Sequence, residues 1–201
     1  TGTGGAAPGA KPRGPLVLAD DGNFYGLAEE GGPNNTGVVF RLTNAGVYSV
    51  MSAFGSTGAR SPQGGFAKGV DGFLYATTSL GGTADAGCLI RFDPSNNTLE
   101  TVAEFTGAAG AHPGSLPAGE VHVTPEGLVY GTTLLGGAAD EGVVYRYSDA
   151  GGLRNLIEFS GIGGSNPGSA GGSDGAGLIL SGGLATGPDG KLYGTAPSGG
   201  S

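Results

Sequence analysis

The sequence predicts an all-β fold, a propeller-like array of four-stranded antiparallel units. Three observations predict it. A single motif recurs along the chain. Its apolar residues alternate with the period of strands. Glycine and other turn residues separate the alternating runs at fixed offsets.

The motif is clearest at Pro125–Arg146, PEGLVYGTTLLGGAADEGVVYR. Residues 20–41 read DDGNFYGLAEEGGPNNTGVVFR and residues 70–91 read VDGFLYATTSLGGTADAGCLIR. From Pro188 the chain reads PDGKLYGTAPSGGS to Ser201. Each copy places a turn glycine (Gly22, Gly72, Gly127, Gly190) three residues before a tyrosine (Tyr25, Tyr75, Tyr130, Tyr193). A Gly-Gly pair follows at 31–32, 81–82, 136–137 and 199–200. Past it come another glycine (Gly37, Gly87, Gly142) and an arginine (Arg41, Arg91, Arg146). A last run ends in Phe54, Phe105 or Phe159. The prolines Pro12, Pro62, Pro113 and Pro167 phase the copies at spacings of 50, 51 and 54 residues.

The runs carry strand periods. Val38-Val39-Phe40-Arg41-Leu42 and Val143-Val144-Tyr145-Arg146-Tyr147 are short and bounded by turn residues, and no window holds the i, i+3, i+4, i+7 apolar spacing of a helix. Asp-Gly and Gly-Gly are hairpin chemistry, because they admit positive φ. Four strands are expected in the first copy, over about 14–19, 23–28, 37–43 and 47–54. A unit of this size, repeated, is the signature of a propeller blade; a β-solenoid is the alternative. The expected organisation is a flexible tail over 1–11 and a repeat domain over 12–201, divided as 12–61, 62–112, 113–166 and a partial 167–201, about three and a half blades. The fourth copy stops after two of its four strands. Ring closure is therefore expected to need a further chain segment or association of several chains.

Composition narrows the function classes. Glycine accounts for 46 of 201 residues, and the net charge is −8 with nine Lys and Arg. A nucleic-acid backbone binder needs a basic face, which is missing here. No run has the length and apolarity of a membrane span. With Cys88 alone, no intrachain disulfide can form and cysteine-based metal sites are excluded. Cys88 aligns with Val38 and Val143, as a small buried apolar side chain would.

The unit resembles the GloVer tandem repeat of bacterial proteins. The resemblance rests on Asp21-Gly22-Asn23-Phe24-Tyr25-Gly26, on Gly127-Leu128-Val129-Tyr130-Gly131-Thr132-Thr133, on Gly142-Val143-Val144-Tyr145-Arg146 and on the endings at Phe105 and Phe159. It covers about residues 12–201. It implies a secreted or surface-anchored protein and no particular activity. A weaker similarity runs to the blades of NHL and virginiamycin B lyase propellers, and fold likeness does not transfer function.

Several residues are candidates for chemistry. Arg41, Arg91 and Arg146 would form a ring of cations for an anionic ligand such as an acidic sugar, or serve as strand arginines paired to carboxylates. Asp85, Asp140 and Glu141, after the Gly-Gly pair, are candidates for calcium with backbone carbonyls; no other cofactor is expected. Asp21, Asp71, Glu126 and Asp189 precede turn glycines and read as turn chemistry. His112 and His122 are the only histidines. The lyase-like propellers of the weaker resemblance use histidine and glutamate with magnesium, and Glu120 is expected on the face of the strand opposite His122. No nucleophile elbow, HExxH or Walker loop is present. The tyrosines are expected to pack between blades. The expected function is an extracellular or cell-surface scaffold or binding module. It would recognise carbohydrate or a surface protein through loops 31–36, 55–61, 82–86, 106–112 and 161–181, which differ while the strands repeat. The alternatives are a self-assembling surface or fibre subunit, with a homo-oligomer among the expected partner states, and a lyase or hydrolase with its site at the channel mouth.

Overall fold

The computed structural model describes residues 8–55, 58–161, 165 and 183–195. Unit 1 is a sheet of β1 (Ala10–Leu18), β2 (Phe24–Glu30), β3 (Val38–Leu42) and β4 (Tyr48–Ala53), in that order. Unit 2 comprises β5 (Ala59–Pro62), β6 (Ala67–Lys68), β7 (Leu74–Gly81), β8 (Cys88–Asp93) and β9 (Thr98–Glu104), with β5 and β6 both pairing β7. Unit 3 is β10 (Ser115–Val123), β11 (Val129–Leu135), β12 (Val143–Ser148) and β13 (Gly152–Glu158). A hairpin of β14 (Ala185–Thr186) and β15 (Leu192–Tyr193) begins unit 4. The described elements are all strands, every pair is antiparallel, and the array is not closed. β1 begins at Ala10, opposite Glu30, so the first strand takes in two residues of the expected tail.

Each innermost strand is broken at the same place. The pairing jumps between Arg13 and Val17 in β1 and between Ala118 and His122 in β10, and the gap between β5 and β6 is its counterpart. The breaks hold Gly14, Gly64, Gly65 and Gly119. A Cβ on Gly14 would enter the Gly65 backbone, and one on Gly64 would strike the Gly119 carbonyl. Neighbouring units thus touch backbone to backbone at their inner edges, where no side chain fits.

Two apolar clusters join the units. The first packs Leu27, Val39, Met51 and Phe54 of unit 1 against Phe66, Leu74, Ile90 and Phe92 of unit 2. The second packs Tyr75, Leu89, Val102 and Phe105 of unit 2 against Val121, Val129, Tyr145 and Leu153 of unit 3. Tyr25 meets Phe92 with ring centroids 5.6 Å apart, and Phe105 meets Tyr145 edge-on at 4.9 Å. The rings of Tyr25, Tyr75, Phe54 and Phe105 therefore fill the spaces between units 1, 2 and 3, as their spacing predicts, whereas Tyr130 is half-buried and Tyr193 is exposed. A bulge in each outer strand serves the same packing. Between Val39 and Phe40 the partner strand carries one extra residue, Met51; the equivalents are Val102 and Leu156. Met51 and Val102 turn towards the next unit.

A backbone lock completes each junction. Ser61 N–H donates to the Thr36 carbonyl and Leu116 N–H to the Ala86 carbonyl, both at 3.0 Å. Gly37 and Gly87, one residue on, make room for the rings of Pro62 and Pro117. The lock corrects the phasing of the third copy. Pro12, Pro62 and Pro117 lie opposite Ala28, Thr78 and Thr133, so Pro117 is the equivalent proline and Pro113 is not. The connection into unit 3 is longer and is pinned by a Gly107–Gly114 bridge.

Candidate functional site

The topology sorts the loops into two ends. The Asp-Gly turns and the β3–β4-type turns lie at one end. The β2–β3-type loops and the connections between units lie at the other, the loop end. Loops 31–36 and 82–86, the described part of 55–61, and 106–112 all fall there. Of 161–181, only Gly161 and Ser165 lie within the described residues.

At the turn end the repeated acids are consumed locally. Asp21 accepts the Asn23 N–H at 3.0 Å and the Tyr25 hydroxyl at 2.8 Å. Asp71 does the same with Phe73 and Tyr75, and Asp189 with Lys191 and Tyr193. Burial and the Asp21 carboxylate together push the Tyr25 hydroxyl up to about 12. These acids lock each turn to its tyrosine, which in units 1 and 2 packs between units.

The three arginines sit on the third strands, β3, β8 and β12, two strands out from the inner edge. Among the described residues only Arg91 of the three finds two carboxylates: Glu100 of its own unit at 2.9 Å and Asp149 of unit 3 at 3.1 Å. Its guanidinium lies 4.6 Å from the centre of the Phe73 ring. Arg41 faces Ser49 and Arg146 faces Arg154 across the ladder, where Arg91 faces Glu100. Arg41 Nε is buried with no hydrogen-bond partner among the described residues. The position is therefore used differently in each unit.

At the loop end, Asp85 and Asp140 take positive φ and accept the N–H of Gly81 and Gly136, each at 2.7 Å; Asn35 does the same for Gly31 at 3.0 Å. Asp85 also pairs with Arg60 at 2.5 Å. The Gly81 N–H, helped by Arg60, outweighs desolvation and holds the Asp85 carboxyl below its usual range. An asparagine makes the same bond in unit 1, so this loop closure needs no charge. Glu141 leaves a buried Oε2 with no partner among the described residues. Among those residues, no three His, Cys, Asp or Glu side chains converge as a metal site. Cys88 is buried, and desolvation pushes its thiol up to about 11, as expected of a core position.

The loops differ at one further position, which sequence comparison alone did not single out. Glu104 accepts the N–H and hydroxyl of Thr83 at 2.7 Å, and Glu158 accepts the Ala138 N–H at 3.0 Å. In unit 1 the corresponding residues are Ala53, which has no side-chain carboxylate, and Pro33, which has no N–H. A cavity of about 430 Å³ opens there, lined by Pro8, Gly32, Pro33, Val38, Val50 and Ala53. The paired loss of Glu and N–H was legible in the aligned copies, but its meaning depends on the contact.

His112 closes its connection through its backbone, accepting the Thr106 N–H at 3.0 Å. His122 Nε2 lies 2.7 Å from Thr186 Oγ1. His122 and Glu120 line one cavity of about 300 Å³ with Val121, Gly183 and Leu184, between units 3 and 4. This corrects the expectation of opposite faces. Residues two apart in a strand share a face, and the break in β10 lets Val121 reach the cavity as well. Partial desolvation raises the Glu120 carboxyl above its ordinary value.

Residues 2–123 match the Gloeobacter/Verrucomicrobia repeat. The chain belongs to that repeat family. No curated protein matches the chain. Among solved structures, virginiamycin B lyase from Staphylococcus aureus is similar at 16% identity, covering 93% of this chain and 49% of that one, with a TM-score of 0.57. The extracellular domain of BT4673 from B. thetaiotaomicron is similar at 14% identity over 90% of this chain and 19% of that one, TM-score 0.54. A chain of the nidogen/laminin complex is similar at 16% identity over 73% and 48%, TM-score 0.50. The repeat chain thus spans about half the length of the lyase it matches. At these identities the likeness shows the fold alone, a β-propeller-like one. No helix among the described residues is long and apolar enough to cross a membrane.

Proposed function

We propose that this repeat protein is an extracellular or cell-surface binding scaffold that recognises a protein partner through the loop end of its units. The observation that carries the reading is the unit 1 loop. Its seven-residue frame is the same as in units 2 and 3, yet Pro33 and Ala53 replace a carboxylate–N–H pair with an apolar hollow of about 430 Å³. Such a hollow accepts an apolar side chain, while the surrounding turns supply exposed backbone and polar groups. The repeated acids and glycines of the units are used in the architecture, which leaves recognition to the loops that differ. An extracellular setting fits BT4673's extracellular domain and the nidogen/laminin chain as fold neighbours. The test is capture of ligands from a cell-surface protein fraction and from a glycan array. A double variant, Pro33→Thr with Ala53→Glu, rebuilds in unit 1 the pair seen in unit 2. Protein capture that this variant abolishes supports the reading; capture of glycans alone, or capture indifferent to the variant, refutes it.

A second reading is favoured by the Glu120–His122 cavity. Glu120 and His122 line one hollow, where a carboxyl and an imidazole would serve as the acid and base of a lyase or hydrolase. Turnover of a substrate library, abolished by Glu120→Gln with the fold retained, would establish it; no turnover by the parent chain would remove it.

A further inference from the structure

Each internal junction joins a trailing face, turned towards the following unit, to a leading face, turned towards the preceding one. The leading faces of units 2 and 3 are covered. Pro62, Leu74, Ile90, Phe92 and Leu99 are buried in unit 2, and Pro117, Val129, Tyr145, Tyr147 and Leu153 in unit 3. The corresponding residues of unit 1 are Pro12, Phe24, Phe40, Leu42 and Tyr48. Pro12 is exposed, the other four are half-buried, and Leu16 and Leu18 beside them are 44% and 52% exposed. Phe40 and Tyr48 stack on each other at 5.3 Å. Lys11 takes positive φ before Pro12, as Ser61 does before Pro62 and Leu116 before Pro117. Unit 1 therefore presents the same half of the junction, with the backbone of Lys11 already shaped for it and the Tyr48 hydroxyl engaged by the Pro8 carbonyl at 2.6 Å.

We infer that the leading face of unit 1 docks a further repeat unit of the same family, seated as unit 2 is seated on unit 3. The occupant would offer the carbonyl before its loop glycine to the Lys11 N–H and make room at that glycine for the Pro12 ring. It would bring a Leu89/Val102/Phe105-type face against Phe24, Phe40 and Tyr48. The face also chooses between the two internal patterns. At the first junction Asp20 pairs with Lys68; at the second, Val70 and Val123 take those positions. Unit 1 has Leu18 where unit 2 has Lys68, so it fits an occupant with an apolar residue at the Val70 position. The cavity at Pro33 and Ala53 lies at the rim of this face. Its unit 2 equivalents, Thr83 and Glu104, stay exposed and half-exposed with unit 1 in place, so docking leaves the loop end accessible.

The test is a chain in which an extra copy of residues 59–116 directly precedes Pro12 in place of residues 1–11, which recreates the junction of units 2 and 3. Hydrogen exchange at amides of residues 24–50 is expected to slow by about tenfold or more relative to the parent chain. Val102→Glu in the extra copy alone should cancel most of the gain. Gly87→Val there should do the same, and circular dichroism shows whether each extra unit is still folded. Unchanged exchange in residues 24–50 beside a folded extra unit overturns the inference. So does a concentration-dependent dimer of the parent chain that Phe40→Ser abolishes, since it would assign the face to a second copy.

Discussion

Replacing Phe92 by alanine tests whether the units are held by their shared faces. Phe92 is fully buried between units 1 and 2, with Tyr25 at 5.6 Å and Phe66 at 6.1 Å between ring centroids. A buried phenylalanine removes roughly 200 Å² from water, which at about 25 cal/mol per Å² is about 5 kcal/mol as an upper bound. Core Phe→Ala substitutions cost about 3–5 kcal/mol, cavity included. Leu42 holds the same position in unit 1 but is only half-buried, with no unit before it among the described residues. Leu42→Ala should therefore cost about 1 kcal/mol, well below the ~2–5 of a full core site. Urea denaturation followed by far-UV circular dichroism reads both. Phe92→Ala should also lower cooperativity, separating unit 1 from the rest, because stability in repeat arrays is carried between nearest neighbours. Equal costs for the two variants would refute the reasoning, since position in the sheet, and not the junction, would then set the energy.

Gly87 has φ +98° and its Cβ would lie 2.5 Å from the Thr78 carbonyl and inside the Pro117 ring, so Gly87→Ala should cost more than about 3 kcal/mol by chemical denaturation. Gly46, at φ +80° with open space, should cost only about 1–2 kcal/mol in the same assay. A double-mutant cycle of Arg91→Ala with Asp149→Ala should give a coupling of about 0.2–1 kcal/mol that shrinks at high salt, because Asp149 is largely exposed. Burial pushes Asp21 up, but the Asn23 side chain, the Asn23 N–H and the Tyr25 hydroxyl outweigh it and hold the carboxyl below its usual range. The Thr83 hydroxyl and N–H likewise depress Glu104. Such carboxyls add stability that is complete above their unfolded values of about 3.9 and 4.3 and is lost as pH falls through the folded ones. Thermal midpoints should therefore fall as pH drops below about 4, and the Asp21→Asn, Glu104→Gln double variant should show a shallower acid slope.

Much of the fold was legible because its determinants are local. The Asp-Gly turn, the tyrosine four residues after its aspartate and the Gly-Gly loop recur at fixed offsets, and each is built from contacts within a few residues. What was not legible depends on neighbours distant in sequence. Pro113 kept the spacing of the other prolines, yet the residue that packs on the preceding unit is Pro117, because four extra residues are taken up in the bridged connection. The bulges at Met51, Val102 and Leu156 leave no mark in apolar alternation; they show only as a register jump against the neighbouring strand. The arginines looked equivalent by position, but what faces each of them, Ser49, Glu100 or Arg154, gives it a different environment. At the candidate sites, the acids of the loops were visible as residues, while the hollow at Pro33 and Ala53 became visible only with the Glu104–Thr83 contact beside it.

Native-state hydrogen exchange across the described strands tests the central claim most directly. Among the described residues unit 2 is covered on both faces, unit 1 on one, and unit 3 on one and in part on the other by the β14–β15 hairpin, with Phe40, Tyr130 and Leu156 less buried than their counterparts Ile90, Tyr75 and Val102. The amides of β7 and β8 should therefore be the most protected in the chain, with β3 and β12 exchanging faster. Protection that is uniform across the three units, or greatest in unit 1 or unit 3, would contradict an array held together by its junctions.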